Sequence, residues 1–222
     1  MDKKNVRVFF RKYDRAVYIA HLDLMRTMQR TLKRSGLPVW YSEGFNPRLY
    51  LNFPLALSLG VTGEREPMDM AVVEDISLDE AVRRLNAAAP EGIEFISAAY
   101  PVHHNKEIGF AEYEAVFSGD YGQLSEVADS FMSRETINVM KHTKKKGMVE
   151  VDIRPHITIL GKEKSDRGMT LRYRLPAGLE LNLNSAVLTD AFIAHCIEHN
   201  VEAKLICTKR TNILCADGAD FE

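Results

Sequence analysis

NVRVFFRKYDRAVYIAHLDLMRTMQRTLKRSGLPVWYS, residues 5–42, changes its period twice, and the fold is decided by where it does so. As far as Arg11 the residues alternate, with Val6, Val8 and Phe10 set against Arg7, Phe9 and Arg11. That two-residue period belongs to a half-buried strand. RAVYIAHLD continues as extended chain or a helix entry. From His21 to Ser35 the period becomes helical: Leu22, Met25, Met28 and Leu32 form an apolar stripe, and Arg26, Arg30 and Lys33 form a basic one. Ser35-Gly36 closes the helix, and PVWYS after Leu37 reads as a second strand.

Working outward, LYLNFPLALSLGV is extended and interrupted by Pro54, and PMDMAVVE is a strand. Ser77, with Glu80 three residues later, predicts the start of the helix LDEAVRRLNAAA, and GIEFISAAYP reads as another strand. The order β-α-β-β-α-β is that of the ferredoxin-like split βαβ fold. The second half repeats it. AEYEAVFS, TINVMKH, GMVEVDIRPHITIL, GMTLRYRLP and VEAKLICTKRTNIL read as strands, with one strand too many, which predicts a hairpin insertion. YGQLSEVADSFMS and SAVLTDAFIAHCIEH read as helices, the latter capped by Ser185. The expected class is therefore α/β (α+β), with tandem ferredoxin-like βαββαβ halves and antiparallel sheets. Residues 1–100 form the first half and 111–222 the second, joined by the polar linker PVHHNKEIGF at 101–110.

At 222 residues, 45% hydrophobic and 27% charged, either half is long enough to bury a core. No apolar run approaches the roughly 18 residues that would span a bilayer. The start, MDKKNVRVFFRKYD, has no apolar signal-peptide core, so a cytoplasmic protein without membrane partners is expected. Cys196, Cys207 and Cys215 fit neither a disulfide framework nor a zinc site. There is no Walker loop, GxSxG elbow, HExxH, Rossmann fingerprint or CxxC, and no metal or cofactor is expected. His195-x3-His199 has helical spacing but no acidic third ligand nearby in sequence, and reads as half-buried helix.

A formal charge of −2 conceals segregation. Residues 1–50 hold eleven Lys/Arg against four Asp/Glu, and residues 134–175 hold eleven against five. Two basic blocks of that kind either scatter as solvated charge or meet a polyanion. In the first block, Arg26, Arg30, Lys33 and Arg34 are cations one helical turn apart, the spacing that follows a phosphate backbone. His21 at the helix entry either carries protons or bonds to backbone, and Asp23 is a candidate cap. In the loop YSEGFNPR, Gly44 and Pro47 shape the turn. Phe45 then has the chemistry to stack on a base, Asn46 to read its edge and Arg48 to bind phosphate. The opposite reading makes Phe45 a core plug. In the second block, Lys144 and Lys145 stand at a hairpin tip, and Asp152 and Arg154 share one strand face, where they either pair with each other or reach RNA.

The segment from Arg7 to Met70 carries His-Leu-Asp-Leu-Met-Arg at 21–26, Gly-Leu-Pro at 36–38 and Ser-Glu-Gly-Phe-Asn-Pro-Arg at 42–48. Leu-Gly-Val at 59–61 and Glu66 with Asp69 follow. This pattern resembles the radical-SAM-linked domain family, bacterial proteins encoded beside, or fused to, a radical SAM protein. VDIRPHI and TKRTNIL are further recognisable pieces, whereas Ala20 and Leu49 depart from the usual Ser and Pro. Because this chain has no CxxxCxxC loop, the resemblance implies a separate radical SAM partner. The expected function is an accessory module that recognises RNA (tRNA or rRNA) for modification by that partner. The alternatives are a metal-independent RNA-processing enzyme using His21, by analogy with other tandem ferredoxin-like proteins, and a module that docks the radical SAM protein without RNA.

Overall fold

Val6, Val8 and Phe10 do share one face of a strand, and that face meets two helices. In the computed structural model, which describes residues 3–143 and 147–222, β1 spans Lys4–Lys12 and α1 spans His21–Arg34. They are followed by β2 (Leu51–Asn52), β3 (Val61–Val72), α2 (Leu78–Ala88) and β4 (Ile93–Ala99). The strands lie in the order β4-β1-β3 with β2 on β3, and every one of these pairs is antiparallel. That is the ferredoxin-like arrangement. Val6, Val8 and Phe10 pack with Met68, Met70 and Val72 beneath Leu24, Met28, Leu32, Ala81 and Leu85. Their odd-numbered neighbours on β1 point to the other face of the sheet.

Two expectations for this half need correction. The apolar stripe of α1 runs through Leu24, Met28, Thr31 and Leu32, whereas Leu22 is exposed. Leu22 lies in the first turn, on the side of the helix turned away from the sheet. PVWYS does not form a strand; it makes two isolated bridges, Val39 to Val72 and Tyr41 to Leu49, and β2 comes instead from Leu51–Asn52. Pro38 has no N–H to give to a ladder. The Ser77 expectation holds, since its side chain accepts from the Glu80 N–H at 3.2 Å.

The chain divides into two compact units, residues 1–109 with 210–222, and residues 110–209. In the second, β5 (Ile108–Ser118), α3 (Tyr121–Ser133), β8 (Thr158–Ser165), β9 (Gly168–Pro176), α4 (Ser185–Glu198) and β10 (Lys204–Cys215) again follow the βαββαβ order. The sheet order is β10-β5-β9-β8, the same pattern as in the first unit. β6 (Asn138–Thr143) and β7 (Gly147–Asp152) form a separate two-stranded hairpin, which accounts for the extra strand. The alternating run 147–160 is not one strand, because a short 3-10 turn at Arg154–His156 containing Pro155 divides β7 from β8. Nor does Ser185 cap α4. Asn184 does so, accepting from the Ala186 N–H, while the buried Ser185 hydroxyl meets the Tyr173 phenol at 2.7 Å. β10 passes from one unit to the other: its residues from Arg210 onward belong to the first, beside β3. Among the described residues no helix is long and apolar enough to cross a membrane.

Candidate nucleic-acid interface

Burial of Leu24, Met28 and Leu32 leaves the opposite side of α1 to solvent, and the basic residues are there. Arg26, Arg30, Lys33 and Arg34 are all exposed. Arg26 pairs with Asp23 at 2.9 Å, and Arg34 donates to the Ala88 carbonyl at 3.0 Å. Asp23 therefore serves Arg26 rather than capping the helix, whose N-cap is Ala20 with no side-chain bond. Arg30 and Lys33 have no ion-pair partner among the described residues. His21 is exposed and meets the Phe53 ring edge-on, at 5.6 Å between centroids, with no hydrogen bond among the described residues.

The loop after α1 is held at its base and open at its tip. Tyr41 bridges Leu49, the Ser42 N–H donates to the Arg48 carbonyl at 2.8 Å, and the Arg48 N–H donates to the Ser42 hydroxyl at 2.9 Å. Residues 43–48 are exposed, and Phe45 is 107% exposed, as open as a side chain in an extended peptide. The core-plug reading of Phe45 is overturned. Gly44 has φ +118°, a conformation that side-chain-bearing residues rarely adopt, so it fixes how the tip turns.

The remaining sequence candidates lie in the second unit. The Arg154 guanidinium donates to the Met132 carbonyl at 2.9 Å. Asp152 does not pair with the Arg154 side chain; it accepts from the Ile137 and Arg154 backbone N–H groups, which hold its carboxyl below the ordinary range. Lys144 and Lys145 lie outside the described residues. Cys196 and Cys215 are buried, and burial raises the Cys196 thiol to about 11, the behaviour of inert structural thiols. No cluster of metal-binding side chains occurs among the described residues.

A second feature of the first unit escaped the sequence reading. On the sheet face opposite the helices lies a cleft of ≈ 720 Å³, open to solvent. Its floor follows the register of the sheet, in which Arg7 opposes Asp69 and Asp69 opposes Asn52. Arg7 is buried and grips both Asp69 oxygens, at 2.7 and 3.1 Å. It also donates to the His103 carbonyl at 3.1 Å, and its guanidinium lies 4.1 Å from the Phe221 ring centroid. Tyr50 forms one flank, and burial raises its phenol above the ordinary range, so it is a neutral hydrogen-bonding group. Residues 100–106 form the other flank. Val102 and His103 are fixed there through N–H bonds to the Glu222 carbonyl, at 3.0 and 2.7 Å. The available signal was the polar series Asn5 and Arg7 on the solvent phase of β1, which pointed to a face that is not simply core.

A family model described as "Uncharacterized protein conserved in bacteria (DUF2344)" matches residues 5–186. Comparison with curated proteins found no match. Among solved structures, "Crystal structure of putative glycine cleavage system transcriptional repressor" aligns with 96% of this chain and 98% of its own at 12% identity, with a TM-score of 0.24. A TM-score that low carries no argument about fold or function.

Proposed function

We infer the function of a chain that belongs to the DUF2344 family, uncharacterized proteins conserved in bacteria: it binds RNA and presents it to a separate radical SAM enzyme. The observation that carries this reading is the tip of the loop at 42–48. A large aromatic ring held wholly in solvent has no packing role, and the hydrogen bonds at the base of the loop support its presentation at the tip. Stacking on such a ring is worth about 1–3 kcal/mol per base and tolerates any sequence. Asn46 and Arg48 stand beside it in solvent. The exposed Arg30 and Lys33 of α1 add cations suited to phosphate contacts. The radical SAM partner rests on the resemblance of the segment 7–70, which contains both α1 and this loop.

The test is RNA binding by the full chain across a salt series from about 50 to about 200 mM. Binding is expected to weaken steeply with salt. The double variant Arg30→Glu, Arg48→Glu should weaken it at least about tenfold and lower the salt slope by about 2. Undetectable binding at low salt, or an unchanged double variant, ends this reading. Measuring cleavage in the same samples, with His21→Ala as control, tests the enzymatic alternative.

One observation favours docking of the partner protein without RNA. Tyr18, Leu22 and Leu59 are all more than 60% exposed, and the Gly60 N–H bonds to the Val17 carbonyl beside them in sequence. Association that survives nuclease treatment and is lost in Leu22→Asp would select that reading.

A further inference from the structure

We propose that the cleft on the sheet face of the first unit is a nucleotide pocket, which takes one unpaired base with its sugar and phosphate. The proposal rests on the RNA reading and names where the strand goes beyond the loop at 42–48.

Size and shape fit first. At ≈ 720 Å³ the cleft falls within the range of about 300–1,000 Å³ typical of small-molecule sites. Its floor crosses β1, β3 and β2, where Arg7, Asp69 and Asn52 form one cross-strand row. Two inter-strand intervals make this row roughly 10 Å wide, enough for a planar ring to lie across it.

The chemistry of the lining narrows the ligand. Asn5 and Asn52 bring amides, which donate and accept together and so suit the mixed edges of a nucleobase. Tyr50 on one flank and the exposed Tyr100 on the other offer rings for stacking. The charge of the lining favours an anion. Asp69 is the one carboxylate on it and forms a closed pair with Arg7, which leaves Lys106 as the cation of the lining without an ion-pair partner among the described residues. A pocket for a cation or a free amine would need an unengaged carboxylate, and the lining provides none among the described residues.

Continuity with the loop supplies the route. Arg48 and Tyr50 are two residues apart, at most about 7 Å along extended chain, so the displayed tip leads directly to the flank of the cleft. Lys3 lies over the Tyr50 and Trp40 rings, 4.9 Å from each centroid, and places a further cation there.

Trp40, the single tryptophan of the chain, packs edge-on against Tyr50 at 6.4 Å and gives the experiment its signal. The full chain is titrated with each nucleoside 5′-monophosphate and with single-stranded oligonucleotides, following Trp40 fluorescence and the polarisation of a labelled oligonucleotide. Wild type is compared with Asn52→Ala, Tyr100→Ala and with Arg30→Glu, after circular dichroism and Tm confirm folding. The expected result is a Trp40 change on binding and a loss of at least about tenfold in oligonucleotide affinity in the cleft variant. If wild type binds RNA and the cleft variant binds it equally well, the pocket is overturned while the RNA reading stands. If monophosphates change Trp40 and RNA does not bind, the pocket stands with a free nucleotide as its ligand and the RNA reading falls. If neither ligand binds, both fall.

Discussion

Glu66 and Asp69 close the sequence pattern that runs from His21 to the third strand, and the structure gives both a structural role. Glu66 is buried and paired with Arg210, with Nε–Oε1 at 3.0 Å. Arg210 also donates to the Leu55 and Ala56 carbonyls, so this pair fixes the chain between β2 and β3. Asp69 does the same for Arg7. Removing one partner of a buried pair costs about 3–5 kcal/mol, because the other charge stays buried and uncompensated. Glu66→Gln should therefore lower stability by about that amount in a urea titration, whereas Phe45→Ser should leave it within about 0.5 kcal/mol. Equal stability of the two variants would remove the distinction between fold-holding and exposed motif residues. Sequence could not separate them: Glu66 and Arg210 stand 144 positions apart, and neither looks unlike a surface charge.

Helical period was legible, but its phase was less so. The pattern located α1 yet placed Leu22 on the buried stripe, because a helix entry offers apolar residues to two directions and only packing selects one. In α4 the nine apolar residues of fourteen are spread around the helix, and period alone does not find its buried side. The structure does: Leu188, Phe192, His195 and Cys196 are buried. His195 packs on Phe131 of α3 and meets Ser130 at 3.3 Å. Burial lowers its imidazole from the ordinary 6.5; Glu198 opposes that shift, and His199 and Arg134 add to it. The folded state thus favours neutral His195, and its contribution is present above pH 6.5 and lost as pH falls toward the depressed value. The Tm difference between wild type and His195→Gln should narrow from about pH 8 to about pH 5. A constant difference would show that the charge state of His195 does not affect stability in this window.

At the scale of the molecule, the βαββαβ grammar was readable because most elements are punctuated by Gly, Pro or a capping residue, and because the period changes between most of them. What no local pattern reports is a strand used in two places, as β10 is, or a wall assembled from distant chain. The wall of the cleft is such an assembly. Phe221 is fully buried, stacks on the His103 ring at 6.1 Å and lies under the Arg7 guanidinium. Its N–H donates to the Ile213 carbonyl, and the next residue, Glu222, accepts from the Val102 and His103 N–H groups. The Phe221 ring therefore joins β1 to residues 100–106, and its backbone ties both to β10 within the first unit. Phe221→Ala should cost about 3–5 kcal/mol, as expected for a deleted core aromatic. The more specific consequence is local. Amide hydrogen exchange at Val102 and His103 should accelerate well beyond that at Val8 and Met68, which are held by the sheet ladder. If exchange at all four positions rises equally, Phe221 supports the unit as a whole. If it rises at Val102 and His103 first, this ring sets the shape of the cleft, and nucleotide affinity should fall in the same variant.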